Sequence, residues 1–166
     1  MGQSDIINQL AGVEAGSALA GLREQRPETL QYAQGSFLAL FEPDDPAGVS
    51  LLERDAIGLR VATLEMSPVV AAHHRARLQA LDASGETIAA IEGFPDSGDL
   101  PARLQAILRH ADLLTMAPRK GSPQALERLK AAGLTTRDIV TVSQIVAFLS
   151  YQIRMVALLQ AMEDSG

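Results

Sequence analysis

Residues 50–81 read SLLERDAIGLRVATLEMSPVVAAHHRARLQAL, and this stretch decides the fold. Ser50-Leu51-Leu52-Glu53 is a capping box: the serine hydroxyl serves the third amide of a helix and the glutamate reaches back to the first. The helix it opens extends to about Met66. From Ala56 to Leu64 only Arg60 and Thr63 are polar, so this helix is expected to be buried on most sides. Asp55 lies one turn before Leu59, close to the apolar face, where a carboxylate needs a partner. Ser67-Pro68 then repeats a start signal, a capping serine followed by proline at the first helical position. In that second helix Ser67, Val70 or Ala71, and His74 share a face, because seven residues make about two turns. His73 is offset by ~100° and points elsewhere.

Start and stop signals divide the rest of the chain in the same way. Helices are expected over 5–11, 15–25 and 27–41, the last opened by Pro27, and Glu42 to Gly48 is a loop by composition. Further helices are expected to about Ala83, from Ser84 to Gly93, from Pro101 to about Thr115, and from Ser122-Pro123 to Gly133. Thr135 or Thr136 caps the last and longest, which runs to about Met162. Its Ile139, Val142, Val146, Leu149, Ile153 and Val156 recur at three and four residues and form one stripe. No run alternates as a strand does. The expected fold is all-α, a single domain over 1–166 with seven to nine helices.

Composition removes several functions. There is no cysteine, which excludes disulfides, thiolate metal sites, iron–sulfur clusters and peroxidases that work through their own thiol. Net charge is −6, with 14 Lys+Arg against 20 Asp+Glu, and no basic stripe suits a nucleic acid. Ala and Leu make up roughly 30% of the chain, well above average usage, which favours helices. Residues 139–159 are apolar enough to suggest a membrane span, but Gln144, Gln152 and Arg154 interrupt them, so a buried helix is the expectation and no membrane is invoked. The opening MGQSDIINQL lacks the pattern of a signal peptide, which makes a cytoplasmic setting the default. Adjacent histidines on one helix suit no shared metal, and no Gly-rich phosphate loop or axial-ligand pattern is visible. No cofactor and no metal are therefore expected.

The central stretch resembles the carboxymuconolactone decarboxylase family, in particular its alkylhydroperoxidase-D-like, peroxidase-related branch. That pattern is a Glu, eleven residues, Cys-x-x-Cys, three residues, then His. Here Asp55 stands at the Glu position, Ser67 at the first Cys, Val70 at the second and His74 at the His, with Ala72-His73-His74-Arg75 keeping a local run. Leu129 to Leu134, Asp138-Ile139, Gln144 and Arg154 resemble the entry of the last helix in peroxidase-related members, with Ser150 and Ile153 where asparagines are usual. The resemblance covers about 27–159, implies a helical bundle of this type, and implies homo-oligomers (dimer, trimer or hexamer).

In such proteins the cysteines start a helix, where the dipole and free amides favour thiolate, and the Glu and His pass protons. An alcohol cannot cycle through sulfenate or disulfide, so Ser67 leaves no redox couple. The resemblance thus implies a chain related to antioxidant proteins but without thiol peroxidase activity, one that binds a small molecule or a partner. Two alternatives stay open: a lyase or isomerase using Asp55 and His74 for proton transfer, and a non-catalytic assembly subunit. His73 and Arg154 are further candidates for the pocket. The plainer readings stand beside these. Ser67 is a helix cap, Asp55 and His74 a buried structural pair, His73 and Arg75 solvated or interface residues, and His110 a surface residue. A Ser-His-Asp hydrolase is disfavoured, because Ser67 and His74 lie ~10 Å apart along one helix and no Gly-x-Ser-x-Gly elbow exists.

Overall fold

A computed structural model describes residues 5–96 and 98–163. Among these residues the chain forms nine α-helices, one 3-10 turn and no strand: α1 (Ile6–Ala11), α2 (Ala18–Glu24), α3 (Pro27–Phe41), α4 (Leu51–Leu64), α5 (Pro68–Ala80), α6 (Gly85–Glu92), α7 (Ala102–Met116), α8 (Pro123–Ala131) and α9 (Thr136–Glu163). The all-α expectation and the helix number agree with this.

α4 is the hub. It packs against α5, α7, α9, α6 and α3, and every residue from Arg54 to Ala62 is buried. Such a helix can carry charge only where each charge finds a partner. Arg54 donates to three carbonyls, those of Val49, Leu40 and Pro46, at 2.8, 2.6 and 2.9 Å, and so fixes the loop between α3 and α4. Arg60 holds Asp112 of α7 through two hydrogen bonds, at 2.7 and 2.9 Å, and reaches the Glu92 carbonyl of α6. α9 supplies the other long wall. Ile139, Val142, Val146, Leu149, Ile153 and Val156 are all buried, as their spacing predicts. By length and composition alone α9 could cross a membrane, but this stripe is part of the protein's own core.

Local chemistry explains the boundaries. Ser50 and Glu53 form both halves of the expected capping box. Thr135 and Asp138 do the same at α9: the Asp138 amide donates to Thr135 Oγ1 and the Thr135 amide to Asp138 Oδ2. Burial opposes ionisation of Asp138, but these bonds, with Arg103 and Arg137 nearby, outweigh it and hold its pKa below the ordinary carboxylate value. α2 starts three residues later than expected. Gly16 adopts a left-handed φ of 82° and Ser17 is the residue whose hydroxyl caps the helix. α5 stops at Ala80 rather than near Ala83, because Asp82 has φ 59° and the Ala83 amide turns back to the Leu78 carbonyl.

The α4–α5 junction is a Schellman turn made without glycine. The Ser67 amide donates to the Ala62 carbonyl and the Met66 amide to that of Thr63, with Met66 at φ 53°. Its side chain is 86% exposed and gains little by packing. The left-handed region costs a non-glycine residue about 1 kcal/mol or more. Met66→Gly is therefore expected to raise stability by about 0.5–1 kcal/mol in urea denaturation.

Candidate functional site

The α4–α5 pairing brings Asp55 and His74 together. The imidazole Nδ1 lies 2.8 Å from Asp55 Oδ1, and both side chains have no exposure to solvent. Gly58 makes this approach possible. A Cβ built there would fall 2.4 Å from His74 Nδ1, so only a bare Cα lets the ring lie on α4. On its other side the ring meets Phe41, 4.8 Å between centroids, and the edge of His73 at 5.1 Å.

A third group completes the cluster, and the sequence reading missed it. Arg77 Nε donates to the same Asp55 Oδ1 at 2.8 Å. Its other nitrogens bind Glu42 at 2.7 Å and the Phe41 carbonyl at 2.9 Å, and its guanidinium lies 5.4 Å from the centre of the Phe37 ring. The signal was its spacing: Arg77 follows His74 by three residues and shares its face of α5.

Charge balance sets the protonation. Arg77 is the cation that faces Asp55, and it serves Glu42 as well. Burial lowers the pKa of His74 from its ordinary value, and the Arg77 charge adds to this, against the raising effect of the Asp55 hydrogen bond and charge. His74 is therefore a neutral imidazole with its proton on Nδ1, donated to Asp55. Its Nε2 is then a buried lone pair, and neither Nε2 nor Asp55 Oδ2 has a partner among the described residues. His73 is half-buried, not solvated. It sits against Phe37 at 5.8 Å, and burial first, then His74 and Arg77, lower its pKa to about 4. Arg75 remains partly exposed and pairs with Glu92 of α6.

The other matched positions are not part of this cluster. Val70 is fully buried in the core. Ser67 occupies the N-cap position of α5, but its side chain makes no capping hydrogen bond. The reason is its ψ of 92°, far from the 163°, 159° and 154° of Ser17, Ser50 and Ser84, which do cap. Ser67 instead borders a surface groove of about 370 Å³ with Ala71, Arg75 and Glu92. Asp55 borders a different one, about 410 Å³, with Arg77, Glu42 and Leu51. Arg154 is exposed on α9. His110 is not the surface residue its Arg109-His110 sequence suggested. It is 7% exposed, because it shares the inner face of α7 with Ile107 and Ala111 and finds Ser143 of α9 at 3.0 Å. Burial lowers its pKa.

Two solved structures share this architecture. One is an uncharacterized peroxidase-related protein from Silicibacter sp. TM1040, with TM-score 0.73 and 21% identity, matched over 79% of this chain and 68% of its own. The other is described as an alkylhydroperoxidase AhpD core, an uncharacterized peroxidase-related protein from Ralstonia eutropha JMP134. It has TM-score 0.74 and 20% identity over 84% of this chain and 73% of its own. The chain has the AhpD-core fold. No family model and no curated protein matches the sequence. The AhpD-core fold agrees with the expected all-α bundle of that type.

All three histidines have lowered pKa values in this AhpD-type fold. The native state thus binds fewer protons than the unfolded chain below about pH 6.5. Their contribution to stability is complete above that pH and is lost as pH falls toward the folded values, for His73 about 4. Each histidine still neutral in the fold contributes a slope of up to about 1.4 kcal/mol per pH unit. Urea midpoints measured from pH 7.5 to 4.5 are expected to fall steadily, and a flat profile would contradict these protonation states.

Proposed function

We propose that this AhpD-fold chain has no thiol peroxidase activity and acts by binding a small molecule or a partner. One observation carries the reading. The helix start that the resemblance matches to the redox pair bears Ser67 and a core Val70, while Asp55 and His74, at its Glu and His positions, form a buried pair bonded to Arg77. Peroxide reduction needs a nucleophile that accepts oxygen and is then reduced. Neither an alcohol nor an alkyl side chain does this. Purified protein given cumene hydroperoxide and a dithiol reductant is expected to show no turnover above buffer. Turnover that His74→Gln abolishes would overturn the proposal.

The unpaired His74 Nε2 favours one second reading, a cysteine-independent lyase or isomerase. Nδ1–H held by Asp55 and a free Nε2 lone pair give His74 the protonation state of a general base, and a substrate reaches it only where the ring, closed to solvent here, is uncovered. Lactones and small carboxylic acids, screened by thermal shift, are the probes. A ligand that stabilises the native chain but not Asp55→Asn would support it, and no shift with any of them would remove it.

The partner in this reading is a second copy of the chain. Val140, Tyr151, Leu158 and Met162 are exposed on α9, with Ala147 exposed between them. Their spacings place them along one side of the helix, opposite the buried stripe. An apolar strip of this kind matches itself across a two-fold axis. Light scattering at micromolar concentration is expected to give a multiple of the 17.6 kDa chain mass, reduced to the monomer by Leu158→Lys with Tyr151→Lys. A native monomer would remove the self-association.

A further inference from the structure

We infer that the cleft between α7 and α8, remote in sequence from the Asp55–His74 cluster, binds a small apolar carboxylate that carries a hydroxyl group. The cleft has a volume of about 540 Å³, within the range of small-molecule sites. Its walls are alanine and leucine side chains, among them Ala106, Leu113 and Ala125, so it suits an apolar body. Its polar lining is two guanidiniums and a neutral imidazole, those of Arg109, Arg128 and His110, and no acidic residue borders it.

Neither arginine has a carboxylate partner among the described residues. Arg109 donates only to the Gln105 amide oxygen at 3.2 Å and lies 5.5 Å from the centre of the Phe94 ring. Arg128 is exposed on α8 at the cleft rim. Guanidiniums without a carboxylate partner at the border of an apolar trough, in a chain of net charge −6, suit an anionic head.

His110 adds the hydroxyl. Ser143 donates its own hydroxyl proton to the Ile139 carbonyl at 2.8 Å, so its oxygen can only accept from His110 Nε2 at 3.0 Å. Nε2 therefore carries the imidazole proton. Nδ1 is left as a buried lone pair with no donor among the described residues, in a residue only 7% exposed that borders the cleft. A ligand hydroxyl is the donor it lacks, and a second carboxylate would not serve.

Calorimetric titration of the full chain with 3-hydroxyoctanoate, octanoate and octan-1-ol tests this. 3-Hydroxyoctanoate is expected to bind saturably, octanoate more weakly, and octan-1-ol about tenfold more weakly than octanoate. Arg128→Gln and Arg109→Gln are each expected to weaken the two carboxylates about five- to tenfold and to leave octan-1-ol unchanged. His110→Phe is expected to erase the preference for 3-hydroxyoctanoate over octanoate. Amide shifts on binding should map to α7 and α8, and Ala125→Trp, which fills the cleft, should block all three compounds. Absence of saturable binding, carboxylate binding untouched by both arginine variants, or shifts centred elsewhere would overturn the site. Equal binding of 3-hydroxyoctanoate and octanoate to the native chain would overturn the role given to His110.

Discussion

Gly58→Ala is expected to destabilise the protein by about 2–3 kcal/mol and to part His74 from Asp55. On propensity alone alanine would stabilise a helix interior by about 1 kcal/mol, so the sign of the result decides between a generic helix position and a contact site. The new Cβ would fall 2.4–2.5 Å from three ring atoms of His74. The ring has no space to retreat, since Phe41 lies 4.8 Å away and neither His74 nor Phe41 has solvent-exposed surface. The overlap must therefore be relieved by moving α5 away from α4 or by breaking the 2.8 Å bond to Asp55. Urea denaturation measures the cost, and the Nδ1–H proton resonance reports the bond. A stabilised variant that keeps this resonance would show that the ring has room the packing denies it.

Asp55→Asn carries the second large effect, a loss of about 2–4 kcal/mol. The shapes are nearly the same, so the change tests charge rather than packing. Asp55 Oδ1 accepts from both His74 and Arg77. An amide oxygen can accept both bonds, but without the negative charge that balances the guanidinium. Glu42 and the Phe41 carbonyl still hold Arg77, which keeps the loss below that of a wholly unpaired buried ion. Arg77→Met in the same background should recover part of the loss, since it removes the cation left uncompensated. Arg77→Met alone should act on His74 instead. With Asp55 no longer neutralised, its charge would favour the imidazolium and raise the His74 pKa. Equal stability of Asp55→Asn and the native chain would show that the carboxylate contributes no net charge pairing.

Much of the fold was legible because its punctuation is local. Ser50-x-x-Glu53, Ser122-Pro123 and Thr135 mark helix starts through contacts within one turn, Pro27 and Pro68 through their fixed φ, and the α9 stripe follows from periodicity. The Asp55–His74 pair was legible through the family resemblance, which puts them at its Glu and His positions. Other features depend on what lies across the fold. Arg77 joins the site through Glu42 and Phe41, more than thirty residues earlier. His110 is buried because Ser143 of α9 offers it an acceptor, although its position relative to Ile107 already placed it on the inner face of α7. Ser67 has the residue type of a cap, but its backbone angle is set by the turn at Met66. Gln152, read as an interruption of an apolar run, is fully buried in the core.

The account rests on a neutral, buried imidazole bonded to a carboxylate that a guanidinium also binds. Nitrogen-15 NMR of the three histidine side chains between pH 7.5 and 4.5 tests it most directly. The expected spectrum shows His74 protonated at Nδ1 and bare at Nε2, with a slowly exchanging Nδ1–H and no titration near pH 6.5. A His74 that takes up a second proton near its ordinary pKa, or whose Nδ1–H exchanges freely with water, would contradict it.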